Sequence, residues 1–499
     1  MKYISTRSRD ISCDGLQAVL AGMAPDGGLF LPESFDKISF DYKSCIGGCS
    51  TKEIATKVIG AILPDFDDMA ALVERAYTGK FETEDLTPLV KVGNKYVLEL
   101  FRGPTSAFKD VALSMLPQLI SAAKKQTGDS SRTLILTATS GDTGKAALEG
   151  FHDVPGVGII VFFPENGVSE VQKLQMVTQQ GDNVHVCAIR GNFDDAQTAV
   201  KKVFELAAND KTFGAELAKA KTALSSANSI NIGRLAPQLT YYFKAYSDLV
   251  SGGRIKVGDA VDFVVPTGNF GDILAGYFAK CLGLPVGRLV CASNANNVLT
   301  DFLHTGVYSR KRPFIKTTSP SMDILVSSNL ERMLFLASGG DTKKVSAWME
   351  ELKTNGEYTV NGETLENLRR TYYAGYCSDA SAAATISKVF KDYGYVCDTH
   401  TAVAWNVAEQ YEASGEKKGN APTVVLSTAS PYKFPLAVLA AIEGGEAKGD
   451  EFEAMEKLSR LSSTKVPAGL AGLRSKDILH KDVANKEEIT DYVLSKIRE

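Results

Sequence analysis

The sequence predicts an α/β protein in which parallel sheets are covered on both faces by helices. Three observations carry this reading. First, several short apolar runs lack polar alternation, at residues 133–137, 157–163, 184–189, 261–266 and 423–426, as strands buried on both faces do. Second, helical patterns fill the gaps between them, as at 168–179, 194–206 and 273–282. Third, glycine-bearing polar loops follow the runs, at the carboxyl ends of strands where such sheets bind ligands. A chain of 499 residues exceeds what one core organises. We divide it into a mainly helical lead-in (1–95), a smaller α/β unit (96–225), a larger α/β unit (226–445) and a charged, helical C-terminal segment (446–499).

In the lead-in, Ala24-Pro25-Asp26-Gly27-Gly28 is a strong turn, and residues 29–32 form an apolar segment closed by Pro32. Thr51 is placed to cap a helix through Ile54, Val58 and Ile62, with Glu53 in its first turn. Residues 96–100 then form a strand leading into Phe101-Arg102-Gly103-Pro104-Thr105-Ser106-Ala107-Phe108-Lys109-Asp110. Gly103 and Pro104 make the turn, and a helix follows over about 107–126 with Leu113, Leu116 and Ile120 on one face. Pro117 should kink or interrupt it. Lys109 therefore stands in the first turn of a helix, where the positive end of the macrodipole disfavours its charge. A neutral lysine amine attacks carbonyls. Taken alone, Lys109 reads better as a solvated lysine beside Asp110; the rest of the chain reverses that reading.

Further on, the strand 133–137 is followed by Ala138-Thr139-Ser140-Gly141-Asp142-Thr143-Gly144 and a helix over 145–151. A polar stretch at 225–234 precedes a helix through Tyr241, Tyr242 and Phe243. The strand 261–266 leads into Thr267-Gly268-Asn269-Phe270-Gly271-Asp272, and 288–292 is another strand. Residues 300–400 read as largely helical, including 321–335. The strand 423–426 ends at Ser427-Thr428-Ala429-Ser430-Pro431.

Composition excludes several classes. A net charge of −4 without a basic cluster argues against nucleic acid. No apolar run reaches membrane-span length, and residues 1–10 lack the apolar core of a signal peptide, so a cytoplasmic protein is expected. The eight cysteines are scattered, with Cys45 and Cys49 the one close pair, which suits reduced thiols rather than a zinc site. His152, His185, His304, His400 and His480 are dispersed and read as packing or surface residues. Neither a hydrolytic triad nor a metal-ligand spacing is present, so no metal is expected.

Three loops suit anions. Gly268 to Asp272, between a buried strand and a helix, offers backbone N–H groups. It lacks the third glycine of a dinucleotide fingerprint, so a single phosphate fits better, although such turns also use glycine for geometry alone. Gly144-Lys145 suggests a P-loop, but the first glycine is Thr139 and the residue after the lysine is Ala146, so an ATPase is rejected. The Thr139, Ser140 and Thr143 hydroxyls there suit a carboxylate or phosphate. Asn228, Ser229 and Arg234 read either as a second anion site or as a capped helix with a surface arginine. A lysine beside a phosphate cradle suggests pyridoxal phosphate.

Read together, Gly103-Pro104-Thr105 with Ala107-Phe108-Lys109-Asp110, Ala138 to Gly144, Asn228 to Asn231 with Arg234, Gly268 to Gly276, Met322-Asp323-Ile324-Leu325, His400-Thr401-Ala402-Val403 and Leu426 to Ala429 resemble the long form of threonine synthase. The likeness runs in order from about Thr6 to about Pro435. It implies the fold-type II pyridoxal-phosphate architecture, with two parallel-sheet domains, and conversion of O-phospho-L-homoserine and water to L-threonine and phosphate. It also implies a monomer. On this resemblance Lys109 is the Schiff-base lysine and the base for the α-proton. Gly268, Asn269, Phe270, Gly271 and Asp272 hold the cofactor phosphate, Thr428 faces the pyridine nitrogen, and Asp142 lies near the ring hydroxyl. Thr105, Ser140 and Thr143 stand on the substrate side, the last two at its carboxylate, and Asn228, Ser229 and Arg234 at its phosphate. Arg102 and Ser430 occupy positions where related sequences usually carry histidine. The same residues would start a phospho-lyase reaction releasing 2-oxobutyrate, or hold the cofactor without catalysis.

Overall fold

The apolar runs become two sheets in the computed structural model, which describes residues 1–139, 141–446 and 448–498. Among these residues one sheet has five parallel strands in the spatial order Asp482–Asn485, Val184–Arg190, Val157–Pro164, Arg132–Ala138, Thr222–Ser225. The other has six, in the order Tyr372–Tyr376, Val286–Ser293, Val261–Pro266, Thr423–Ser427, Lys95–Glu99, Leu89–Val92. All its pairs are parallel except the last, an antiparallel edge. Every residue of Val157–Pro164, Val261–Pro266 and Thr423–Ser427 is buried, the signature of strands covered on both faces.

Several details depart from the reading of the chain in order. The strand before the lysine pairs Leu98 with Leu426 and so lies in the six-stranded sheet, not with the smaller unit that follows it. The C-terminal segment is not wholly helical, since Asp482–Asn485 forms the edge of the five-stranded sheet. Tyr372–Tyr376 is a strand within the stretch read as helical; it has no β-branched residue, and a Cβ on its Gly375 would lie 2.9 Å from Val407 Cγ1 on a covering helix. The helix read over 321–335 is a single turn at Pro320–Met322 and a helix at Leu330–Ala337. The residues between them bond elsewhere: Ser327 Oγ donates to Gly268 O at 2.8 Å and Asn329 N to Asn269 O at 3.0 Å.

The lead-in holds helices Gly15–Ala21, Thr51–Ile62 and Met69–Tyr77 and a small antiparallel sheet in which Ile4 pairs with Leu31. The cap of Thr51–Ile62 is Ser50, not Thr51: Ser50 and Glu53 form a reciprocal capping box, and the Thr51 hydroxyl donates to Asp85 O at 2.8 Å. No helix among the described residues is long and apolar enough to cross a membrane.

Pro117 does not break its helix, which runs unbroken over Lys109–Thr127. A proline leaves the carbonyl four residues earlier without its usual donor, here Leu113 O. The helix Asp142–Phe151 crosses at that point, and Gly150 makes the crossing close: a Cβ there would stand 1.9 Å from Leu113 O. Gly150→Ala is therefore expected to force the two helices apart and destabilise the fold by about 2–3 kcal/mol, as overpacking does. A thermal midpoint equal to that of the parent protein would refute this close crossing.

Candidate active site

Lys109 opens its helix, and the segment before it is held from several sides. Phe108 N donates to Thr428 O at 2.8 Å, Ser430 N donates to Ser106 O at 3.0 Å, and Ala107 bridges Ala429. Ser106 sits at φ 61°, a left-handed conformation that costs a non-glycine residue energy and that surrounding bonds must impose. Gly103 is required because a Cβ would fall 2.4 Å from Asp110 Cβ. Thr105 donates to Asp110 twice, from N at 2.9 Å and from Oγ1 at 2.5 Å. Burial raises the Asp110 carboxyl to about 6 against these bonds. The Thr105 hydroxyl thus donates to Asp110 in this structure, which fixes the segment ahead of Lys109.

Lys109 is buried, with Nζ 4.0 Å from Asp142 Oδ2 and 4.5 Å from the Phe108 ring centroid. Burial pushes its amine down to about 8; Asp142 acts upward, and the Arg234 and Lys433 charges act further downward. Burial and the neighbouring charges thus act on the amine in addition to the helix terminus argued from the sequence.

Asp142 follows the strand Arg132–Ala138 and starts the next helix. It accepts Lys433 Nζ at 2.7 Å and Gln172 Nε2 at 2.9 Å on Oδ1, and Ser321 Oγ at 3.4 Å on Oδ2. Burial raises its pKa, but Lys433 and Lys109 win and hold it below the usual carboxylate range. Gly141 at φ 145° lets Gln172 approach, since a Cβ would lie 2.4 Å from its Nε2. Thr139, read as an anion donor, spends its hydroxyl inside the loop, accepting from Gly141 N at 3.0 Å and Gly144 N at 2.9 Å. Ser140 lies outside the described residues. Thr143 is half-buried in the first helical turn.

The glycine loop has the form the sequence suggested. Phe270, at φ 63°, caps the helix Gly271–Cys281, whose first N–H groups have no carbonyl four residues back. Gly268 is needed because a Cβ would come within 3.0 Å of Ser321 O. The Asp272 carboxylate turns to Tyr241 and Tyr242, whose hydroxyls donate at 2.7 and 2.9 Å, and burial raises it to about 6. Asp272 therefore contributes its N–H to the loop, with its charge directed elsewhere.

Arg234 is not a surface arginine. It is buried, its Nη1 donates to Ala227 O at 2.6 Å, and its Nε has no partner among the described residues. Burial lowers its pKa to about 10. Ser229 lies against the glycine loop: a Cβ on Gly271 would be 3.2 Å from Ser229 Cβ. Asn228 is half-buried, its N donating to Ser226 Oγ at 3.2 Å.

Four residues that sequence reasoning missed knit these parts together. Asn329 Nδ2 donates to Ser229 Oγ at 2.9 Å while its N holds Asn269 O, joining the two anion loops. Arg332, fully buried, donates to Asn329 Oδ1 and Ile230 O, both at 2.5 Å, and to Phe30 O at 3.0 Å, tying both loops to the lead-in. His400 is no mere packing residue: its Nδ1 lies 2.7 Å from Asp398 Oδ2, and its Nε2 accepts from Ser321 N at 3.1 Å, which fixes the neutral tautomer. Lys433 is the fourth. Arg102, by contrast, pairs with Glu99 and Glu82, and Lys145 with Glu149, so both charges are taken up by glutamates of the chain. Ser430 caps its own turn by accepting from Tyr432 N at 3.4 Å.

The residues fit pyridoxal phosphate. A buried lysine of lowered pKa, a helix N-terminus for one phosphate, and a buried guanidinium with an unsatisfied Nε for a second anion stand together.

Comparison with known proteins agrees. The family model described as pyridoxal-phosphate dependent enzyme matches residues 81–429, that for the threonine synthase N terminus residues 2–77, and that for the threonine synthase C-terminal part residues 401–493. Threonine synthase of Pseudomonas aeruginosa is 39% identical over 443 residues, covering 88% of this chain and 90% of that protein. Threonine synthase-like 1 of Homo sapiens is 40% identical over 440 residues, covering 86% of this chain; the match spans 58% of that protein's length. Two solved structures are similar throughout. Pyridoxal-phosphate-bound threonine synthase from Brucella melitensis has a TM-score of 0.86 at 39% identity, with all of both chains covered. Yeast threonine synthase has a TM-score of 0.86 at 33% identity, with 100% and 99% covered.

Proposed function

The chain belongs to the threonine synthase family of pyridoxal-phosphate-dependent enzymes, and we propose that it converts O-phospho-L-homoserine and water to L-threonine and phosphate. The observation that carries this is the buried Arg234 guanidinium, which has no counter-ion and no Nε partner among the described residues and whose charge acts on the Lys109 amine. That is a binding group for a phosphate separate from the one at the glycine loop.

Pyridoxal phosphate, when bound, withdraws electrons and stabilises negative charge at the substrate's α-carbon. Gly268, Asn269, Phe270, Gly271 and Asp272 would hold its phosphate through backbone N–H groups, and Thr428 would offer its ring a neutral hydroxyl. Lys109 Nζ carries protons from and to the substrate, which its value of about 8 suits near neutral pH. Asp142 stays ionised, held by Lys433 and Gln172. Asn228, Ser229 and Arg234 grip the leaving phosphate, and Thr143 binds the carboxylate at a helix start. All eight cysteines are free, which suits a reducing compartment, and we place the protein in the cytoplasm as a monomer.

The test is an assay of the full chain with pyridoxal phosphate and O-phosphohomoserine. Equimolar threonine and phosphate are expected. Phosphate accompanied by 2-oxobutyrate and ammonia would replace this reading with a phospho-lyase.

A further inference from the structure

We propose that Lys433 is a positioning residue for the reaction: its ammonium occupies the Asp142 carboxylate and so leaves the Lys109 amine without a close counter-ion. This rests on Lys109 being the reacting amine. Lys433 is fully buried, and its Nζ donates to Asp142 Oδ1 at 2.7 Å and to Thr105 O at 3.1 Å. A buried ammonium persists only when paired and hydrogen-bonded. Asp142 is thus one carboxylate set between two ammoniums. Lys433 and Gln172 share its Oδ1, Ser321 Oγ approaches its Oδ2, and Lys109 Nζ stays 4.0 Å away, outside hydrogen-bonding distance.

The other charges acting on Lys109 are already committed or repel it. Asp110 is bonded to Thr105 and Asp272 to Tyr241 and Tyr242, while Arg234 and Lys433 are positive. Without Lys433, Asp142 would have one cation left to neutralise it, which is Lys109. A tight Lys109–Asp142 pair would keep the amine protonated and remove the base. Lys433 also repels the charged form of Lys109 directly, so both effects of its loss raise the Lys109 pKa. Its place is set locally. Ser430 starts the turn Pro431–Lys433 directly after the strand end that carries Thr428, and Phe434 packs on His400 at 5.0 Å.

The experiment reads the Lys109 amine itself. The full chain, stripped of cofactor, is pulsed with acetic anhydride across a pH series, and acetylation of the Lys109 peptide is followed by mass spectrometry. In the parent protein the labelling midpoint is expected near 8. Lys433→Met and Lys433→Gln should move it upward by about one pH unit, so that labelling at neutral pH slows roughly tenfold. In the loaded enzyme the acid limb of kcat, which reports the substrate-bound state where the Lys109 amine is free to act as the base, should move in the same direction, and Lys433→Arg should restore both. Lys433→Gln keeps an N–H donor for Thr105 O and Asp142, so it separates charge from packing. A Lys433→Gln protein with an unchanged midpoint overturns the proposal, and a lowered melting temperature with that unchanged midpoint assigns Lys433 a structural role only. A parent Lys109 that labels like a surface lysine would instead overturn the reading of Lys109 as the reacting amine.

Discussion

Lys109→Ala is expected to abolish threonine formation and the lysine-bound cofactor's absorbance band together, with kcat/KM falling about 10²–10⁴-fold or more. The size follows from two losses at one atom. In the proposed reaction Lys109 Nζ is the covalent anchor, and it is also an amine whose proton affinity is lowered toward working pH. No described neighbour replaces it. Lys433 is bonded to Asp142 and Thr105 O, Arg234 stays protonated, and Lys145 is paired with Glu149. The fold should survive, because removing a buried ammonium that lacks a close partner relieves a desolvation cost. A folded Lys109→Ala protein that makes threonine near the parent rate would remove Lys109 from the mechanism.

The second large effect is expected at Arg234. Arg234→Lys should lower kcat/KM for O-phosphohomoserine about tenfold or more, since hydrogen bonds to charged groups contribute roughly 1.5–3 kcal/mol. Two physical losses combine. A lysine cannot offer the planar fork that grips a phosphate with parallel bonds. It would also be a poor cation in this position. Burial lowers even the guanidinium to about 10, and an ammonium in the same dry environment beside Lys109 would lose charge much nearer neutrality. Inorganic phosphate should inhibit the parent enzyme competitively and the variant less. Steady-state kinetics with and without phosphate measure both. Identical kcat/KM and identical inhibition would place the leaving phosphate elsewhere. Arg102 and Lys145 are poor substitutes, because each is already ion-paired with glutamate.

The sequence by itself determined the alternation of buried strands and helices, because period and β-branched runs are local properties. It also placed Lys109 at a strand-to-helix junction and the glycine loop at a helix start, since turn chemistry is local as well. The conformations that make those turns work, Phe270 at φ 63° and the close packing at Gly103 and Gly268, agree with that reading. What a side chain is bonded to was not local. Thr105 and Thr139 have the right chemistry for substrate donors, but their hydroxyls serve Asp110 and their own loop. Arg234 is equally consistent with surface or site until burial and the missing Nε partner are known. Lys433, Asn329 and Arg332 carry no motif of their own, His400 read as a packing or surface residue although its stretch carries the resemblance, and each acts on a segment far away in the chain. A lysine becomes a tuned base only when burial strips its water and other charges claim its counter-ion. Both conditions arise where the chain end of one sheet's strand meets the loop of another, which only the tertiary structure decided.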